Sequence, residues 1–149
     1  MPRWQFVVAG LLLSAPALAE THRLDDLGTY SVPPAPSLQW SAWQTSGKHS
    51  VMVGQFELHL RLDVSAWMGR RVRIFMRLPK DQESVLELRW ESGRTITGGQ
   101  VASGRRTLIY SAEIRSPHIE DVVDVHVRSA PDWAGSSRRL DVVFELEGV

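Results

Sequence analysis

Apolar and polar side chains alternate along most of this chain with a period of two. Phe56, Leu58, Leu60, Leu62 and Val64 fall on one side, Glu57, His59, Arg61 and Asp63 on the other. Val72, Ile74, Met76 and Leu78 repeat the pattern against Arg71, Arg73 and Arg77. Leu86, Leu88 and Trp90 alternate with Glu87 and Arg89, and Val123, Val125 and Val127 with Asp124, His126 and Arg128. A further face is expected from Leu108, Tyr110, Ala112 and Ile114. The last runs through Leu140, Val142, Phe144 and Leu146 against Arg139, Asp141, Glu145 and Glu147. Strict alternation is the signature of half-buried strands, because successive side chains of a strand point to opposite faces.

Turn chemistry separates these runs. Pro79-Lys80-Asp81, Ser92-Gly93, Gly98-Gly99, Ser103-Gly104 and Ala130-Pro131-Asp132 stand where strands should end. Only Val64 to Gly69 reads as a single helical turn, closed by its glycine. The pattern predicts an all-β chain. About seven or eight strands should form one antiparallel β-sandwich, Ig-like or jelly-roll. A parallel sheet would show continuous apolar runs instead of clean alternation. The strand bearing Arg71, Arg73 and Arg77 is expected beside one bearing Glu57 and Asp63, or Glu145 and Glu147. Opposite charges on neighbouring strands stabilise each other there by about 0.2–1 kcal/mol per pair.

The first residues follow a different rule. Arg3, the apolar run from Phe6 to Leu13, and Ala17-Leu18-Ala19 ahead of Glu20 have the layout of a secretory signal peptide. The apolar run is shorter than the roughly 20 residues needed to cross a bilayer. Residues 1–19 are therefore expected to be removed, leaving a periplasmic or secreted protein with no transmembrane segment in the mature chain. Residues 20–38 are polar and carry Pro33, Pro34 and Pro36, and are expected to form an extended arm. The β-sandwich domain is expected over 39–149.

Composition narrows the class. The chain has no cysteine, so packing and not disulfides must hold an exported form together, and lipidation at the cleavage point is excluded. Seventeen basic residues balance seventeen acidic ones, and loss of Arg3 with the leader leaves one net negative charge. Nothing in that balance predicts a nucleic-acid partner or bulk attraction to an anionic membrane.

Residues 62–74, Leu-Asp-Val-Ser-Ala-Trp-Met-Gly-Arg-Arg-Val-Arg-Ile, resemble a segment of galactose-binding-like jelly-roll domains. There a strand ends in a D-[VL]-S-x-[YW]-x-G-x-x-V-x-[IV] pattern. The resemblance implies a capping Asp or Ser, an aromatic packed under the turn, and a β-sandwich around them. That family's ligand residues lie in variable loops, and none carries over to a position of this sequence.

Chemistry-bearing motifs are sparse. The sequence contains no G-x-S-x-G, no H-E-x-x-H and no phosphate-binding glycine loop, so neither a catalytic constellation nor a cofactor is expected. The densest polar cluster is His118-Ile119-Glu120-Asp121 with Asp124 and His126 beyond it. It is read as a solvated loop and strand face and not as a metal site. Glu145 and Glu147 share a face of the last strand and are read as facing water. The tryptophans are the strongest lead. Trp90 falls on an inward parity and Trp67 is expected to plug the corner at 63–69. Trp40, Trp43 and Trp133 remain as candidate binding residues, since a large ring in a loop can stack on a sugar or a partner. The expectation is an exported, non-catalytic envelope protein that works by contact with another protein, as an accessory or subunit of a surface assembly. The alternative is a carbohydrate-binding module using exposed tryptophans.

Overall fold

The computed structural model describes residues 19–34, 39–40, 52–80, 86–129 and 141–149. Residues 1–18 of the expected leader, the arm's last residues 35–38, Trp43 and Trp133 lie outside the described residues. Among the described residues ten strands follow one another: β1 (Thr21–Arg23), β2 (Tyr30–Val32), β3 (Gln39–Trp40), β4 (Met52–Asp63), β5 (Arg71–Arg77), β6 (Leu86–Trp90), β7 (Gly99–Ala102), β8 (Arg106–Glu113), β9 (His118–Ser129) and β10 (Val143–Gly148). All pairings are antiparallel. One sheet has the order β1-β10-β5-β8. The other runs β2-β4-β9-β6-β7, with β3 also on β4.

The pairings nest. β6 pairs β7, β5 pairs β8, β4 pairs β9 and β1 pairs β10. Successive pairs fall in alternate sheets, and the contacts β6–β9 and β5–β10 stitch them together. A long hairpin rolled in this way is a jelly roll, which decides between the two sandwich types the sequence left open. β2 and β3 are additions along the edge of β4 that β9 leaves free. One core lies between the sheets. Leu60, Leu62, Val64 and Leu88 enter it from one side and Ile74, Met76, Phe144 and Leu146 from the other, all nearly or fully buried. Each such side chain stabilises the fold by about 1.5–3 kcal/mol through the apolar area it removes from water.

The corner after β4 is built as its residue types require. The Asp63 carboxylate accepts the Ser65 backbone N–H at 2.9 Å and its hydroxyl at 2.6 Å, opening a 3₁₀ turn over Ser65–Trp67. Gly69 closes the turn at φ +73°, a conformation that costs glycine nothing. Trp67 packs against the core, with His22 edge-on at 4.9 Å and Arg70 over its ring at 4.3 Å.

Two expectations need correction. The proline-bearing segment, expected as a free arm, is part of the sandwich over its described residues. β1 pairs with β10 at Glu145–Glu147, and β2 pairs with β4 at Glu57–His59. Leu24 is buried, and its N–H donates to the Phe144 carbonyl at 2.9 Å. Three-residue strands are too short to show alternation, and the prolines begin only where β2 ends, so they interrupt no ladder. In β8, Leu108 is 41% exposed while Ile109 is fully buried. The β5–β8 register shifts between Ile74 and Phe75, which face Tyr110 and Leu108, so Ile109 is the extra residue of a β-bulge. A bulge reverses the parity of everything before it, which a fixed period of two cannot follow.

Candidate functional site

The outer face of β4 and β9 carries side chains that the core does not use. Cross-strand partners place Asp63 opposite His118, Arg61 opposite Glu120, His59 opposite Val122, Glu57 opposite Asp124 and Gln55 opposite His126. β2 extends this face, setting Tyr30 opposite His59. An open groove of about 750 Å³ crosses the strands here. Its floor includes His59, Arg61, Glu120 and Val122. Gly28 and Tyr30 line one side, Arg94 and Thr95 the other.

Each wall is fixed from below. On the β2 side, the Thr29 hydroxyl accepts the Arg61 N–H at 2.9 Å and donates to the Arg61 carbonyl at 3.0 Å. A Cβ on Gly28 would stand 2.7 Å from Arg61 Cδ, so the missing side chain leaves room for the arginine stem. Tyr30 lies nearly parallel to the His59 ring, 12° between planes and 4.5 Å between centroids. The Nε2 edge of that imidazole contacts the Glu57 carboxylate. Tyr30 is nonetheless 57% exposed, with its phenol at the groove.

The opposite wall hangs on Asp121. This carboxylate points inward from β9 and is buried. It accepts the backbone N–H groups of Arg94 at 3.1 Å, Thr95 at 2.7 Å, Ile96 at 2.9 Å and Val122 at 2.9 Å. Desolvation is the largest single influence on its pKa and pushes it up. The four backbone donors together outweigh that, and the net shift is downward. The sequence cluster read as a solvated face thus contains a buried anion that organises the 93–97 loop. Its parity with Val123 and Val125 was the available signal. The Thr95 hydroxyl adds a bond to the Glu120 carbonyl at 3.0 Å.

The groove therefore exposes one carboxylate, Glu120, and two guanidiniums. Arg61 Nε lies 3.4 Å from Glu120 Oε1. Arg94 makes no ion pair among the described residues. Such a surface offers donors, acceptors and one aromatic plane side by side, the equipment for holding a polar ligand.

The other candidates separate. Trp90 is core, its indole N–H donating to the Thr97 carbonyl at 2.9 Å. Trp40 lies in β3, its backbone opposite Met52. Trp43 and Trp133 lie outside the described residues. Asp124 and His126 do share the outer face of β9. Among the described residues, however, no group of three or more His, Asp or Glu is placed to hold a metal ion. Glu145 and Glu147 do not simply face water. On the outer face of the other sheet, Arg77 bonds Glu145 at 2.9 Å, Arg73 bonds Glu147 at 3.1 Å and Arg106 bonds Glu147 at 2.6 Å. The glutamate side chains are only 12% and 6% exposed beneath those arginines. Arg106 also lies over the Phe75 ring at 4.1 Å.

No protein-family model matches the chain, and no curated protein matches it significantly. Fold and site define a jelly-roll β-sandwich with a polar, aromatic-edged groove on one sheet face.

Proposed function

We propose that this chain is an exported, non-catalytic β-sandwich protein of the bacterial cell envelope that works by contact, as an accessory or subunit of a surface assembly. One observation carries the reading. Tyr30, Val32 and Val122 stand on one sheet face at 57%, 48% and 50% exposure, with Leu27 at 92% on the turn before β2. Exposed apolar side chains gathered around a polar groove are the composition of a contact surface. The signal-peptide layout of residues 1–19 supplies the address, and no helix among the described residues is long and apolar enough to cross a membrane.

A photoreactive residue at position 122, compared with one at position 71 on the opposite sheet, tests this in intact cells. A discrete crosslinked protein from 122, lost in Tyr30→Ala, is the expected result. Crosslinks only from 71, or none from 122, would overturn it. Sequencing of the exported protein should begin at Glu20.

A second reading is a carbohydrate-binding module. The candidates Trp43 and Trp133 lie outside the described residues, so the observation favouring it is the Tyr30 ring beside the hydrogen-bonding groups of the groove. The resemblance of residues 62–74 to galactose-binding-like jelly rolls belongs with this reading.

A further inference from the structure

The groove between Tyr30 and Arg94 has a balance of donors and acceptors that chooses among ligands. Asp121 keeps its negative charge, but four backbone donors occupy its oxygens. The charged groups left free to bind are Glu120, Arg61 and Arg94, two guanidinium forks against one carboxylate. Arg61 meets Glu120 through Nε, which leaves its terminal nitrogens for a ligand, and Arg94 has no ion-pair partner among the described residues. Guanidinium forks match carboxylates geometrically as well as electrostatically. Glu120, whose side chain is 63% exposed, accepts from hydroxyls. Tyr30 is stacked on His59 by one face and leaves the rest of its exposed ring for an apolar sugar edge.

An extended peptide does not fit these facts as well. β4 is hydrogen-bonded along both edges at the groove, to β2 and to β9, so a peptide lying in the groove finds no free ladder on its floor. The apolar lining is limited to Tyr30 and Val122, with Leu60 buried below them. From this we infer that the groove is a binding site for an acidic saccharide. The carboxylate of a uronic-acid unit would lie between Arg61 and Arg94, its hydroxyls at Glu120 and Thr95, and its ring against Tyr30. The inference rests on the carbohydrate reading of this face. The site is pre-shaped, because Asp121 already holds the backbone of Arg94 and Thr95. Binding therefore carries little cost in loop ordering.

The test is retardation of the purified full chain in gels containing alginate, polygalacturonate or hyaluronan. Methyl-esterified polygalacturonate and poly-glutamate serve as controls. At least one polyuronate should retard the protein, with at least tenfold weaker binding to the methyl ester and to poly-glutamate. Arg94→Gln and Tyr30→Ala should each weaken binding at least fivefold without lowering Tm, while Arg77→Gln on the opposite sheet should not. Equal binding to the methyl ester would leave the carbohydrate reading standing and overturn the acid selectivity. Equal binding to poly-glutamate would show a plain carboxylate surface and overturn the saccharide. Binding that ignores Arg94 and Tyr30 would overturn the site. Failure of the folded protein to bind any of the polymers would overturn both the inference and the carbohydrate reading.

Discussion

Asp121 Oδ2 stands 2.3 Å from the place a Cβ on Gly93 would occupy. The two residues come from different elements, yet neither tolerates change in the other. Gly93 lets the loop backbone close over the carboxylate, and the carboxylate collects the N–H groups that the closed loop presents. Gly93→Ala should therefore destabilise the protein by about 1–3 kcal/mol, in the range of a core overpacking. Gly69→Ala is the useful comparison. Its Cβ meets nothing within 4 Å, so only the positive φ opposes it, costing about 1 kcal/mol. Chemical denaturation of both variants checks the order. A smaller loss at Gly93 than at Gly69 would contradict the account of this loop.

The ion network over Glu147 sets a pH dependence. The Arg106 hydrogen bond is the first cause holding the Glu147 carboxyl below its usual range, against desolvation that pushes it up. A group with a depressed folded pKa stabilises the fold above its unfolded value, about 4.3. That stabilisation fades as pH falls through the lower folded value. Asp121 is depressed too and acts in the same direction. Thermal melts should thus show stability falling from about pH 4.5 downward. In Arg106→Gln the Glu147 share of that fall should shrink. An unchanged acid limb in this variant would show that Arg106 does not set it.

Side-chain parity in β4 is tested by neighbours. Leu60 is buried and Arg61 is exposed. Leu60→Ala should cost about 2–5 kcal/mol as a cavity in the core. Arg61→Ala should cost under about 1 kcal/mol, as for a surface change. Equal losses would contradict the facing assigned to this strand.

Truncation to Ser37 should lower Tm substantially, because it removes β1, β2 and the buried Leu24. Leu24→Ala alone should cost about 2–4 kcal/mol and lower Tm by roughly 10 °C. A truncated protein that melts with the full chain would show that β1 and β2 contribute nothing to the sandwich.

The sequence reads well wherever one face is dry and the strand is long. β4, β5, β6 and β9 follow the alternation of their Leu, Val and Ile residues, and the charged strand of Arg73 and Arg77 lies beside Glu145 and Glu147 as one of the two expected arrangements. It reads badly where a local rule is broken by a distant partner. Leu108 is displaced by a bulge that only the pairing with β5 reveals. Tyr30 carries no signal of its role in the sequence, because its stacking partner His59 is 29 positions away. The groove is illegible in one dimension, since it joins a turn, three strands and a loop. Asp121 looked solvated because a carboxylate buried by backbone N–H groups leaves no mark on composition.

The nesting of the strands also imposes an order on folding. β10 is an inner strand, and its Glu147 accepts a hydrogen bond from Thr21 across 126 residues of chain. Until β10 is available, β1 has no partner and β5 has one open flank, so half of the sandwich stays uncovered. Pairings of such sequence separation make folding slow. A chain fed from its first residues would remain pliable for most of its passage and lock late, when its last strand slides between its first and its fifth.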